Sequence, residues 1–145
     1  MKLVTLALSA IALMAATPAT AQEMPLKPAE YVEISSIHIE DGHSLEYANH
    51  LANIWRKGQD FAVQQGWITG YEILANTYGR EGEPDIYLLT RFVEWEDAAE
   101  GERRQKLYEQ HMQSTQAQMQ AASADRAKYR RQGSSMLLRR MTWRK

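Results

Sequence analysis

The sequence predicts an α+β fold, a four-stranded antiparallel sheet with two helices on one face. Four short runs rich in β-branched and aromatic residues are combined with two long runs whose apolar residues recur at helical spacing. Glycine, proline or acidic turn residues stand at most of the boundaries between these runs. The runs therefore follow the order strand, helix, strand, strand, helix, strand.

Ahead of the first strand, residues 1–21 have the layout of a cleavable signal peptide. Lys2 supplies a positive charge, the apolar run Leu3 to Ala16 follows, and Ala19-Thr20-Ala21 forms a small-residue cleavage site. The run is shorter than the roughly 20 apolar residues that a membrane-spanning helix needs. The chain has no cysteine, which excludes a lipoprotein anchor. We therefore expect a periplasmic or secreted protein with no stable membrane anchor after cleavage.

Residues 22–30, with two prolines, predict a flexible leader, and residues 31–145 predict one domain. Because cysteine is absent, stability has to come from an apolar core, which a partner subunit would enlarge. The segment from Arg126 to Lys145 carries eight basic residues and no acidic one. We interpret it as a solvated face that balances acidic stretches elsewhere, because export makes a nucleic-acid partner unexpected.

The first half of the domain predicts a strand and a long helix. Tyr31 to Ile39 is rich in β-branched residues and predicts the first strand. Ser44 to Gln65 separates into a polar arc and a wide apolar arc on a helical wheel, and Gly66 follows where a left-handed residue ends a helix.

The second half predicts a hairpin, a helix and a last strand. Gly70 to Tyr78 and Asp85 to Val93 are β-rich and are joined by a glycine- and proline-containing turn. Glu96 to Gln132 contains no proline and predicts one long helix, and Met136 to Trp143 predicts the fourth strand. The helical stripe consists of Tyr108, Met112, Thr115, Met119 and Ala122.

This order is the split βαβ pattern of ferredoxin-like folds. Such a sheet has one face uncovered by helices, and the strands carry aromatic and apolar residues that have to line it. An exposed apolar face of this size usually finds a partner. We therefore expect a homodimer in which two sheets meet face to face and enclose a barrel-like cavity.

From Tyr31 to Trp143 the chain resembles the dimeric α/β-barrel superfamily, which includes antibiotic-biosynthesis-monooxygenase-like and NIPSNAP-like domains. The resemblance rests on the element order, on Glu40-Asp41-Gly42 at the turn into the first helix, and on the run from Phe92 to Ala98 at a strand-to-helix passage. It implies a ferredoxin-like fold and a dimer.

The family's enzymes oxidise polyaromatic substrates, often without a cofactor, and its haem-degrading members use an Asn, a Trp and a His. The position matching that Asn lies near Ser35, the Trp matches Trp95, and the nearest His is His111, more than a helical turn too far along. The resemblance therefore implies no haem, and we expect no cofactor.

The histidines give the first site candidates. His38 lies in the first strand with its neighbours Ile37 and Ile39 on the opposite face, so it is a candidate base or hydrogen-bond donor in the dimer cavity. His111 flanks the apolar stripe of the second helix and is either a pocket residue or structural. His43 and His50 are seven residues apart and predict solvated positions, so we expect no metal site.

Arg91 and Arg139, both on predicted strands, are candidates for binding an anionic ligand. The alternative is that Glu33 or Glu72 pairs with them inside the sheet. Asn76 completes the set of pocket candidates. His38 and Arg91 are the weak candidates for catalysis, and we identify no catalytic residue beyond them.

Three functions remain open at this point. The first is an exported domain that binds a small apolar or aromatic ligand in the dimeric barrel cavity. The second is a cofactor-independent, monooxygenase-like enzyme acting on an aromatic substrate. The third is a structural dimer or protein-interaction module. The sequence does not decide whether the chain is an enzyme, because no base-and-partner pair is visible in it.

Overall fold

A computed structural model describes residues 23–145 of the chain. The predicted signal peptide, residues 1–21, lies outside the described residues. Along the chain the strands come in the predicted order, one before the first helix, two between the helices and one at the end. The fold is α+β. The strands are β1 (Leu26–Ile39), β2 (Gly70–Ala75), β3 (Ile86–Phe92) and β4 (Arg130–Trp143).

The four strands form one antiparallel sheet in the order β2-β3-β1-β4. In the register of the sheet, Val32 lies between Arg91 and Leu138, and Glu33 lies between Thr90 and Leu137. Because directly opposed residues point to the same side, this register assigns every strand residue to one of two faces. The face that carries Glu33 is covered by helices, and we call the other the open face.

The first helix is continuous but changes its winding in the middle. It consists of α1 (Ser44–His50), a π-helical turn (Leu51–Trp55) and α2 (Arg56–Gln64). Gly66 follows with a φ of 72°, as predicted from its place after the helix. π-Helical turns are rare and occur frequently at functional sites.

The prediction of one helix from Glu96 to Gln132 is wrong. The structure has two helices there, α3 (Ala98–Met112) and α4 (Gln116–Arg126). Gln113 adopts a left-handed φ of 55° and ends α3. Thr115 then caps α4, its hydroxyl accepting from the Gln118 N–H while the Gln118 side chain accepts from the Thr115 N–H. This capping box makes a new helix start more stable than continuation of the old one.

Both long strands begin earlier than predicted. β1 starts at Leu26, within the segment predicted to be a flexible leader, and Pro28 is accommodated at an irregularity in the pairing with β4. β4 starts at Arg130, and Gly133 lies inside it instead of ending a helix. A Cβ atom on Gly133 would lie 2.5 Å from the Ser36 hydroxyl, so the close approach of β1 and β4 requires glycine here.

The hydrophobic core is small and lies at one end of the helix-covered face. Ile37 is its centre, with 1% of its surface exposed, and Tyr47 and Leu51 of the first helix pack on it. At the other end, Gly58 allows α2 and α3 to approach, because a Cβ there would overlap the Tyr108 hydroxyl. No helix within residues 23–145 is long and apolar enough to cross a membrane.

Candidate functional site

Two cavities lie between the helices and the sheet, and they share Glu33 and Thr90 in their walls. The aromatic cavity has a volume of about 340 Å³ and the cationic cavity about 310 Å³. We call the two together the interlayer cleft. Its aromatic half is lined by Trp67, Phe92, Trp95, Arg104 and Tyr108, and its cationic half by Ser35, Tyr47, His50, Gln59, Ser123, Arg126, Arg130 and Gln132, among others.

The floor of the interlayer cleft is polar. Glu33 and Ser35 of β1, Thr90 of β3 and Gln132 of β4 point to the helix-covered face, where a sheet normally carries its apolar residues. Glu33 and Gln132 are exposed, and Ser35 and Thr90 are half-buried. The floor is therefore accessible to solvent and is not part of the packed core.

The aromatic half is framed by a cluster of rings at the end of β3. Phe92 contacts Trp95 edge to face with the ring centroids 4.8 Å apart, and Tyr31 stacks on Phe92 at 5.4 Å. Arg104 of α3 lies over the Trp67 ring and is neutralised by Glu96 and Glu100. This half therefore presents aromatic surface, with Arg104 paired and the carboxylates of Glu33 and Glu94 also in its walls.

The cationic half is framed by two arginines at the passage from α4 to β4. Arg130 is 7% exposed, and its Nη2 donates to the Ser123 hydroxyl at 2.9 Å. Arg126, at the end of α4, lines the same cavity. Within residues 23–145 neither arginine forms a salt bridge, whereas Arg91, Arg103, Arg104 and Arg140 all do.

Three buried side-chain nitrogens lack a hydrogen-bond partner in the part of the chain that the structure describes: Trp67 Nε1, Arg126 Nε and Arg130 Nε. All three are donors, and all three belong to residues that line the interlayer cleft. Native proteins pair the great majority of such groups because an unpaired buried donor costs about 1–3 kcal/mol. The residues that carry these three donors line the two halves of the cleft, and the donors themselves have no partner among the described residues.

The electrostatics of the cationic half keep its histidine neutral. Burial, and then the positive charges of Arg126 and Arg130, lower the pKa of His50 from 6.5 to about 4. Burial also raises the pKa of the Tyr47 hydroxyl and lowers that of Arg126. His50, predicted to be solvated, is therefore a partly buried, uncharged wall of the cleft at neutral pH.

The residues predicted to form the site do not come together. His38 and Arg91 both lie on the open face, but Arg91 pairs with Val32, six residues from His38 along β1. At about 3.3 Å per residue this places them ~20 Å apart. Arg91 forms an ion pair with Glu72, which is the structural alternative raised by the sequence.

The other three predicted site residues also lie outside the walls of the interlayer cleft. Asn76 donates to the Pro84 carbonyl at 3.0 Å and orders the β2–β3 loop. His111 stacks on Phe61 with the ring centroids 4.1 Å apart, at the contact between α2 and α3. Arg139 lies over the ring of Tyr31 at 3.9 Å, next to the aromatic half.

One sequence signal pointed to the cleft. Glu33 and Ser35 alternate with Val32, Ile34 and Ser36 along β1, and they share a face with Ile37. Two polar residues in a row on the face of a buried isoleucine mark a floor that is only partly apolar. The arginines gave no such signal, because Arg126 and Arg130 stand among six other basic residues of the C-terminal segment.

A larger groove of about 590 Å³ lies between α1 and the edge of the sheet. Its walls are mainly apolar, with Ile39, Leu51 and Ile73 among them. Its carboxylate, Asp85, already accepts from the Ile39 N–H at 2.7 Å. Among its described residues no buried side-chain nitrogen or oxygen lacks a hydrogen-bond partner, in contrast to the interlayer cleft.

No cluster of three metal-ligating side chains occurs within residues 23–145. In comparisons with known proteins, no family model matches the chain, and no curated protein matches it. Among solved structures, the chain is similar to HapK from Hahella chejuensis, with 8% sequence identity and a TM-score of 0.44. The similarity covers 76% of this chain and 91% of HapK.

Proposed function

We propose that this chain is an exported, homodimeric small-molecule-binding domain that holds an aromatic ligand in the interlayer cleft. The observation that carries the proposal is the set of three unpartnered buried donors, all on residues that line the cleft. A few polar groups in a cavity with apolar and aromatic walls are the usual form of a ligand site. This location differs from the expectation drawn from the sequence, which placed the ligand between the two sheets of a dimer.

The strand order supports a ferredoxin-like fold within this proposal. The first helix joins β1 to β2, which have β3 between them, and α3 with α4 joins β3 to β4, which have β1 between them. This is the arrangement that a split βαβ unit requires. The dimeric α/β barrel follows if two such sheets meet through their open faces.

The chemistry of the open face supports a second copy as its cover. Val32, Ile34 and Leu89 form an apolar centre, flanked by the exposed Met136 and Leu138 of β4. Ion pairs stand at one end of this face, between Arg91 and Glu72 and between Arg140 and Glu30. An apolar centre with a charged rim is the usual anatomy of a protein interface.

An enzyme is the second candidate, and the two arginines of the cationic half are the observation that favours it. They would stabilise negative charge that develops on a substrate, whereas His50, with a pKa of about 4, is a weak base that can serve as a neutral hydrogen-bonding group. Mass spectrometry of an aromatic compound recovered after incubation in air separates the two functions. A binding domain returns the compound unchanged, whereas an enzyme returns a product of different mass.

The test of the binding proposal is calorimetric titration with 2-naphthamide, a neutral aromatic compound with a carbonyl acceptor. Trp67→Phe removes the unpartnered Nε1 donor and keeps an aromatic ring, so we expect affinity to fall about 3–10-fold, the worth of one hydrogen bond. Trp143→Phe is the matched control, because Trp143 is exposed at the end of β4 and lies outside the cleft.

Retention of wild-type affinity in Trp143→Phe together with a loss in Trp67→Phe would support the interlayer cleft as the site. Absence of binding by the wild-type chain, or equal losses in both variants, would contradict it.

A further inference from the structure

We propose that the ligand of the interlayer cleft is an aromatic monocarboxylate whose carboxylate is held by Arg126 and Arg130. The inference rests on the proposed function and names the chemical class of its ligand. It follows from the position of the two guanidinium groups, from the net charge of the cavity around them, and from the aromatic surface next to them.

Arg130 is positioned for an anion. Its side chain is 7% exposed, one of its terminal nitrogens is bound to the Ser123 hydroxyl, and its Nε has no partner among the described residues. Buried guanidinium groups in proteins are normally paired with carboxylates or phosphates. The Nε of Arg126 is also buried, unpartnered and part of the same cavity. Two such arginines in one cavity, without an acidic partner, indicate an anion site.

The elements packed around the two arginines contribute one charged side chain and several neutral ones. β1 contributes Glu33, α1 contributes the neutral Tyr47 and His50, and α2 contributes the neutral Gln59. Two guanidinium groups and one carboxylate leave a single net positive charge in the cavity near neutral pH. A ligand with one negative charge neutralises this cavity as a whole.

The position of Glu33 along β1 keeps it away from Arg130. Arg130 lies opposite Ile39, six residues from Glu33, which corresponds to ~20 Å along an extended strand. Glu33 stands instead at the junction with the aromatic half of the cleft. A ligand with its carboxylate at Arg126 and Arg130 would therefore extend past Ser35 and Gln132 toward the aromatic half.

The test compares 2-naphthoate with 2-naphthamide, which share their ring system and differ in charge. Near neutral pH we expect the wild-type chain to bind 2-naphthoate at least about tenfold more tightly, because a charge-assisted hydrogen bond to arginine contributes about 1.5–3 kcal/mol. In Arg126→Gln the preference should fall to within about twofold, because loss of the guanidinium weakens binding of the charged 2-naphthoate far more than binding of the neutral 2-naphthamide. Arg130→Gln is the second variant and should have the same effect.

Lys128→Gln is the matched control for general electrostatic attraction. Lys128 belongs to the same basic segment but is exposed and paired with Asp125 on the surface. It should keep the full preference for the carboxylate. Circular dichroism of every variant shows whether the fold is retained. Arg126→Gln, at the end of α4, tests the site without removing Arg130, the more deeply buried arginine.

The outcomes distinguish the two proposals. Equal affinity for the two compounds in the wild-type chain would overturn the carboxylate site and leave the aromatic cleft in place. A preference that persists in Arg126→Gln and Arg130→Gln would also overturn it. Failure of both compounds to bind would overturn the cleft as a ligand site, and the carboxylate site with it.

Discussion

Along β1, Val32 and Ile34 point to a face that no described helix covers, whereas Glu33 and Ser35 point to the face that lies under helices. A two-layer domain that is complete by itself shows the reverse, with apolar residues under the helices and polar residues in water. In the proposed function another copy of the chain covers the apolar face, and a ligand occupies the cleft on the polar face.

The largest expected effect concerns the open face. Leu138→Arg places a charge on it and should raise the dissociation constant of the dimer by at least about 100-fold, because an unpaired charge in an interface costs several kcal/mol. Leu137→Arg is the control, since Leu137 is 49% exposed and Leu138 48%, but their side chains point to opposite faces. Sedimentation equilibrium measures both variants.

A dimer that resists Leu138→Arg, or one that both substitutions disrupt equally, would show that the open face is not the interface. A wild-type chain that remains monomeric at micromolar concentration would remove the dimer from the proposed function altogether.

A smaller effect is expected on the free energy of unfolding, and it should differ between the two ends of the helix-covered face. Ile37→Ala should lower the free energy of unfolding by about 2–5 kcal/mol, because it leaves a cavity under Tyr47 and Leu51. Glu33→Gln, on the same strand and the same face, should change it by less than about 1 kcal/mol, because Glu33 lines the cleft and makes no ion pair among the described residues. Urea denaturation measures both.

If Glu33→Gln destabilised the domain as much as Ile37→Ala, the polar floor would belong to the structural core and not to a binding site.

The smallest effect is electrostatic and concerns His50. Its pKa is about 4 in the folded chain and 6.5 ordinarily, so the unfolded chain binds more protons between these values. The contribution of His50 to stability is therefore fully present above pH 6.5 and is lost as the pH falls toward 4. Removing one neighbouring positive charge, as in Arg126→Gln, should raise the pKa of His50, and NMR titration of the imidazole protons measures the change.

An unchanged pKa of His50 in Arg126→Gln would show that burial alone keeps this histidine neutral. The guanidinium pair would then not act on the part of the cleft that His50 lines.

The strands and the first helix could be predicted because their signals are local. β-Branched runs, the two-sided pattern of the helix at Ser44 and the glycine that follows it each act within a few residues. The break at Gln113 was missed because Thr115 fitted the apolar stripe of a single helix. Its role as the cap of α4 depends on a reciprocal hydrogen bond with Gln118.

The candidate site could not be predicted in the same way, because it depends on which elements pack together. Arg130 is buried only because the chain turns from α4 into β4 directly beneath the first helix. Trp67 lines the cleft only because α3 packs beside it. His38 and Arg91 were attractive from their residue types alone, and the register places them ~20 Å apart on the open face.

The most direct measurement is an NMR titration of the chain with 2-naphthamide that follows its four tryptophan indole N–H signals and the methyl groups of Leu138. Trp67 lines the aromatic half of the interlayer cleft, Trp143 lies exposed at the end of β4, and Leu138 reports on the open face. Ligand binding in the cleft predicts a saturable shift of the Trp67 indole signal, with Trp143 and Leu138 unchanged. Shifts confined to Leu138 would place the ligand between the two sheets and contradict a site beneath the helices.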